Sequence, residues 1–112
     1  MATNYDRGAN FEREVVKDLE GHGYKALRSA GSHKPADVVA LKVGETIAIQ
    51  CKRDGILRPD EWNRFWCWCA VAGATPVLAS RRTEGRKYAI IYSILTSRKD
   101  GRGRQPLAPW EP

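Results

Sequence analysis

Glu12, Asp37, Gln50 and Lys52 are the residues whose types and spacing could do chemistry. Three of them lie in one stretch, Ala36 to Arg53, which reads as two apolar strands joined by a tight turn at Gly44-Glu45. Asp37 opens the first strand. Gln50 and Lys52 lie two apart near the end of the second, so strand alternation projects both from one face, with Ile47, Ile49 and Cys51 on the other. A packed hairpin rarely keeps such groups unless they are paired or functional. A hard cation such as Mg²⁺ wants oxygen ligands in near-octahedral geometry. Asp37 and Glu12 offer carboxylates, Gln50 a neutral amide oxygen and Cys51 its backbone carbonyl. Lys52 beside the cation would orient or deprotonate a water and offset charge growing on a phosphate. The chemistry this set implies is metal-assisted phosphodiester hydrolysis.

Several elements must bring these residues together. A helix is predicted from about Arg7 to Gly21, with Asn4 or Asp6 as its N-cap and Gly21/Gly23 as its stop. Its apolar stripe is Phe11, Val15, Val16 and Leu19. At about 100° per residue Glu12 falls between Val15 and Val16, above Leu19, so a carboxylate lies on the core-facing side. If Glu12 had no chemical role it would need Arg13, Arg28 or Lys52 as a partner, because a buried acid is costly alone. A short strand from Tyr24 to Arg28 leads into the loop Arg28-Ser29-Ala30-Gly31-Ser32-His33-Lys34-Pro35. Small, hydroxyl and basic residues there suit either a phosphate or a solvated turn. The hairpin comes next, and then a linker from Arg53 to Arg58.

A second helix is predicted from Pro59 to Gly73, with Pro59, Asp60 and Glu61 suiting its start. Trp62, Phe65, Trp66, Cys69 and Ala72 form one stripe, and Cys67, Trp68 and Val71 fall on the flank or opposite side. A helix apolar most of the way round is buried or meets a second subunit. The expectation is a homodimer contact through Trp62, Trp66, Trp68 and Val71; the alternative packs Trp68 and Val71 under the C-terminal segment. Strands at Thr75–Ser80 and Tyr88–Leu95 flank a loop, Arg81 to Lys87. From Ser97 the chain turns Gly-, Arg- and Pro-rich and is expected to be poorly ordered on its own. The order of elements predicts an α/β fold, a central mixed β-sheet flanked by helices. The expected division is one domain over residues 1–96 and a basic tail over 97–112.

Composition narrows the partners. The chain has 112 residues, suited to one compact domain, and a formal net charge of +6 with a pI near 9.5. The commonest reason for such an excess is a polyanion such as nucleic acid. No apolar run approaches the roughly 20 residues that cross a bilayer, and no signal peptide opens the sequence, so a cytoplasmic protein without membrane contact is expected. Three cysteines without a C-x-x-C argue against a disulfide framework or a zinc ribbon.

Specific segments also resemble a known family. They are Arg7-Gly8, Phe11-Glu12-Arg13-Glu14-Val15-Val16, Gly23-Tyr24, Leu27-Arg28-Ser29-Ala30-Gly31-Ser32, Ala36-Asp37-Val38-Val39-Ala40 and Ile49-Gln50-Cys51-Lys52. Together they look like the archaeal-type Holliday junction resolvases of the PD-(D/E)xK, restriction-endonuclease-like superfamily, found in archaea and some phages. The first half of the chain carries the match; the second half matches in layout.

The resemblance implies a Mg²⁺-dependent endonuclease, with Mn²⁺ as a substitute. It would act as a homodimer that nicks opposing strands of a four-way DNA junction in recombination or repair. Glu12 and Asp37 match metal-binding acids and Lys52 the catalytic lysine. Arg13, Arg28, Ser29 and Ser32 match positions that hold DNA or support the site. Arg7, Lys34, Arg53, Arg81 and Arg82 join them as expected DNA contacts. One position departs: the family usually has Glu where this chain has Gln50, which removes a unit of negative charge. Two other readings therefore stay open, a PD-(D/E)xK nuclease for another DNA substrate and a catalytically weak junction-binding protein.

Overall fold

The structure, a computed structural model, describes residues 3–30 and 33–112. Its first helix, α1 (Asn4–Gly21), starts earlier than its apolar stripe requires because Thr3 caps it. The Thr3 hydroxyl accepts from the Asp6 N–H at 3.1 Å and the Asp6 carboxylate accepts from the Thr3 N–H at 3.0 Å. This reciprocal box satisfies donors that a helix start leaves orphaned. Asn4 and Asp6, expected as caps, lie inside the first turn instead.

The strands β1 (Lys25–Arg28), β2 (Val38–Lys42) and β3 (Glu45–Cys51) come next, then α2 (Pro59–Ala72), β4 (Thr75–Glu84), β5 (Lys87–Leu95) and β6 (Leu107–Pro109). They form one six-stranded sheet in chain order. Every neighbouring pair is antiparallel except β3–β4, which is parallel. A parallel pair needs a crossover, and α2 supplies it. The fold is thus the expected mixed sheet flanked by helices.

Strand alternation assigns the two faces. Ile47 and Ile49 of β3 and Val77 and Ala79 of β4 pack against Phe11, Val15 and Leu19 of α1. Ala48 and Leu78, the residues between them, pack against Trp62, Phe65 and Cys69 of α2. Each helix therefore covers one side of the sheet, and the chain buries both of its own faces.

Four local features differ from the expectations. The β2–β3 turn is Val43-Gly44, one residue early, because Lys42 pairs with Glu45 and Gly44 takes φ +78°. The segment from Arg81 is largely strand: β4 and β5 stay paired out to Glu84 and Lys87, leaving only Gly85-Arg86 to turn. Trp62 cannot serve a dimer contact, since it is fully buried within its own chain and its indole N–H donates to the Ser97 carbonyl at 2.8 Å. Finally, the C-terminal segment ends ordered against the sheet. β6 pairs with β5, and the Trp110 ring packs edge-on to Tyr92 with centroids 5.7 Å apart and 6.3 Å from Tyr24. Apolar burial of Trp110 outweighs the Gly/Arg-rich composition that precedes it.

Candidate active site

The end of the hairpin and one turn of each helix meet at a cleft of about 500 Å³. Glu12, Asp37, Gln50 and Lys52 all line it. Asp37 stands just before β2. One of its carboxylate oxygens accepts from the Cys51 N–H at 2.9 Å, which ties the start of β2 to the end of β3. Burial pushes its carboxyl up to about 6; the Cys51 hydrogen bond opposes this, Glu12 and Glu61 add to it and Lys52 opposes it. Desolvated carboxyls crowded by like charge favour a cation between them.

Glu12 is half-buried, as its place on the apolar face of α1 requires, and pairs with Arg28 of β1 through Nε at 3.1 Å. Gln50 is the one buried polar or charged residue among the described core. Its amide nitrogen donates to the Pro35 carbonyl. The opposite flip would set two acceptors against each other, so chemistry fixes the orientation and turns the Gln50 oxygen away from Pro35. Lys52 crosses to α2 and pairs with Glu61 at 2.9 Å. Cys51 turns its thiol toward the α1 side, where burial raises it well above its usual value and keeps it protonated.

The loop before Asp37 is held from several sides. The Ser29 hydroxyl donates to the Ala36 carbonyl, and the Ser29 N–H donates to the Asp37 carbonyl at 2.9 Å. Arg64 of α2 donates to the His33 carbonyl at 2.9 Å, and His33 takes the left-handed φ of +58°. Lys34 lines the cleft, and Ser32 lies outside the described residues. A second cleft of about 490 Å³ shares Cys51 and Lys52 and adds Arg53 and Arg81.

The remaining basic residues spread wider. Arg7 and Arg13 are exposed on α1, Arg13 donating to Asn10 at 3.0 Å. Arg81 lies over the Tyr88 ring at 4.3 Å, and Arg82 pairs with Glu84 at 3.2 Å on the surface. Of the other expected dimer residues, Trp66 and Trp68 pack partly against the α2-side core, and Val71 is 91% exposed.

Sequence reasoning missed Glu61, Asp60 and Arg64 as cleft residues. The acids of α2 were legible only as a helix start, since the crossover that brings them back beside Lys52 leaves no local signal. Among the described residues, no three His, Cys, Asp or Glu side chains gather closely enough to form a metal-ligand cluster by themselves. The donor set is two carboxylates and an amide oxygen, all hard ligands that fit Mg²⁺ rather than a soft metal. No helix among the described residues is long and apolar enough to cross a membrane.

A mixed sheet flanked by helices, with this cleft at the end of its central hairpin, is the PD-(D/E)xK nuclease fold. The chain belongs to the archaeal Holliday junction resolvase (Hjc) family, whose family model matches residues 3–102. It is 28% identical over 127 aligned positions to the crossover junction endodeoxyribonuclease Hjc of Methanocaldococcus jannaschii, covering 94% of this chain and 95% of that one. Its fold is similar to the solved structure of Archaeoglobus fulgidus Hjc, a Holliday junction resolvase from an archaeal hyperthermophile. The TM-score is 0.65 at 23% identity, over 90% of this chain and 81% of the other.

Proposed function

We propose that the protein is a Mg²⁺-dependent endonuclease that resolves four-way DNA junctions by paired symmetric nicks, acting as a homodimer in the cytoplasm. The observation that carries this is the single cleft lined by Glu12, Asp37, Gln50 and Lys52, in a chain of net charge +6. Glu12, Asp37, the Gln50 oxygen and the Cys51 carbonyl are the groups that would hold the cation. When bound, the cation supplies Lewis acidity toward the scissile phosphate and lowers the pKa of a water. Lys52 would orient the attacking water and offset charge on the phosphoryl oxygens. Lys34 lines the cleft, Arg28 and Ser29 line an adjoining one and Arg53 and Arg81 another, and in this reading they would bind flanking phosphates. Arg7, Arg13, Ser32 and Arg82 complete the proposed DNA contacts. The dimer contact is assigned to the outer side of α2, at Trp66, Trp68 and Val71.

The test is a synthetic four-way junction with Mg²⁺. Paired symmetric nicks that disappear in Asp37→Asn support the reading, and no cleavage in Mg²⁺ or Mn²⁺ counts against it. A second reading, a junction-binding protein with weak catalysis, is favoured by the neutral Gln50 and its attachment to Pro35. It predicts tight, salt-sensitive junction binding without cutting.

A further inference from the structure

Position 50 carries no charge in this chain, yet Lys52 on the same hairpin face does not lack a carboxylate. Glu61 of α2 reaches it at 2.9 Å. We propose that Glu61 is a positioning residue for the cleavage reaction: it holds the Lys52 ammonium on the α2 side of the cleft and keeps it off Asp37 and Glu12. The inference rests on the nuclease reading above.

Glu61 and Asp60 share the first turn of α2, where any acid gains from the helix dipole. That effect accounts for their presence but not for their directions. Asp60 pairs with Arg58 at 3.6 Å, and both side chains are about three-quarters exposed. Both acids line the cleft, but it is Glu61 that pairs with Lys52, with its side chain about a third exposed. Its backbone is fixed by its neighbours on the helix: Trp62 is fully buried and bonded to Ser97, and Phe65 is fully buried one turn on. A carboxylate on such a rigid element holds its partner accurately.

Lysine needs this more than arginine would. Its ammonium is a point charge on a flexible four-carbon stem. With an acid at position 50, that acid would stand beside Lys52 on the same strand face. Here the Gln50 amide is committed to the Pro35 carbonyl and offers no negative charge. Asp37 and Glu12, the carboxylates that the cation requires, line the same cleft as Lys52. Among the described residues, the ion pair Lys52 forms is with Glu61, whereas Glu12 pairs with Arg28. Pairing with Asp37 would neutralise one metal-binding acid and draw the ammonium away from the phosphate.

The rival explanation is an ordinary helix-to-strand ion pair. Both side chains are about a third exposed, so such a pair contributes little to stability. The two explanations therefore differ in what Glu61→Gln does. If the pair is only structural, stability shifts slightly and cleavage is unchanged. If Glu61 positions Lys52, the single-turnover rate on a four-way junction falls about 10- to 100-fold, the range expected for a misplaced group. Junction affinity without metal stays within about twofold.

The deciding readout is the double variant. Adding Glu61→Gln to Lys52→Ala should cost less than about twofold more, because Glu61 would act through Lys52. A Glu61→Gln rate within about threefold of wild type overturns the proposal. So does a further tenfold loss in the Lys52→Ala background, or a loss of rate matched by loss of binding. If the wild type cuts no DNA at all, the nuclease reading fails and takes this one with it. If the wild type cuts and Glu61→Gln cuts equally well, only the present inference falls.

Discussion

Asp37 is where charge and burial conflict most. Its carboxyl is raised from 3.8 to about 6, first by desolvation, so the native state binds the proton more tightly than the unfolded chain does. Stability from this group is therefore greatest below about 4 and falls as pH rises to about 6, then stays level. Asp37→Asn keeps an oxygen for the Cys51 N–H and removes the charge. It is expected to flatten that slope and raise stability at pH 7.5 by about 2 kcal/mol while abolishing cleavage, as thermal melts across pH and a junction assay would reveal. Added Mg²⁺ should raise the melting temperature of the wild type and leave the variant unchanged. Gln50→Glu has the opposite character. It replaces the donor facing the Pro35 carbonyl with an acceptor, so without metal it should lose about 1–3 kcal/mol. With Mg²⁺ it should recover more stability than the wild type gains, because a third carboxylate joins the site. Melting both proteins with and without the cation checks this; equal Mg²⁺ gains would exclude Gln50 from the ligand set.

At the scale of elements, the last strand is more than an appendage. β6 covers the outer edge of β5, and Trp110 closes the α1-side core over Tyr24 and Tyr92. Trp110→Ala should therefore destabilise by about 2–3 kcal/mol, less than a fully buried tryptophan because the ring is half-buried. Chemical denaturation measures the change. Cleavage at low temperature should persist, since Trp110 lies on a cleft separate from the one around Asp37. The hairpin shows how far local pattern reaches. Alternation put Gln50 and Lys52 on one face from the sequence alone, and the helical stripe put Glu12 toward the core. The β4–β5 turn was harder to read, because Arg81 and Arg82 look like loop residues until cross-strand pairing with Ile90 and Ala89 is seen.

For the whole molecule, the proposed symmetric cleavage needs two sites at a fixed separation, and Glu12, Asp37, Gln50 and Lys52 of one chain line a single one. Trp62 is withdrawn from any interface by its burial, so the contact proposed on α2 narrows to Trp66, Trp68 and Val71. Val71→Asp changes an almost fully exposed side chain and should leave the fold intact. In a dimer through this face it should halve the molar mass seen by light scattering and convert paired nicks into single ones. A variant of unchanged mass would move the contact elsewhere. Junction affinity should also fall steeply with salt, as expected for several Arg and Lys side chains releasing counterions from phosphates.

The sequence by itself determined both helices and the first five strands, with their apolar faces, because period and turn chemistry are local properties of the chain; it did not show β6. It also carried the basic charge and the segments that mark the family. Only the tertiary structure decided which charges meet: Arg28 with Glu12, Glu61 with Lys52, and the Gln50 amide with Pro35. It likewise decided that Trp62 faces inward and Trp110 closes a core. These depend on how a parallel crossover and an edge strand return residues across the sheet, and no spacing along the chain encodes that distance in space.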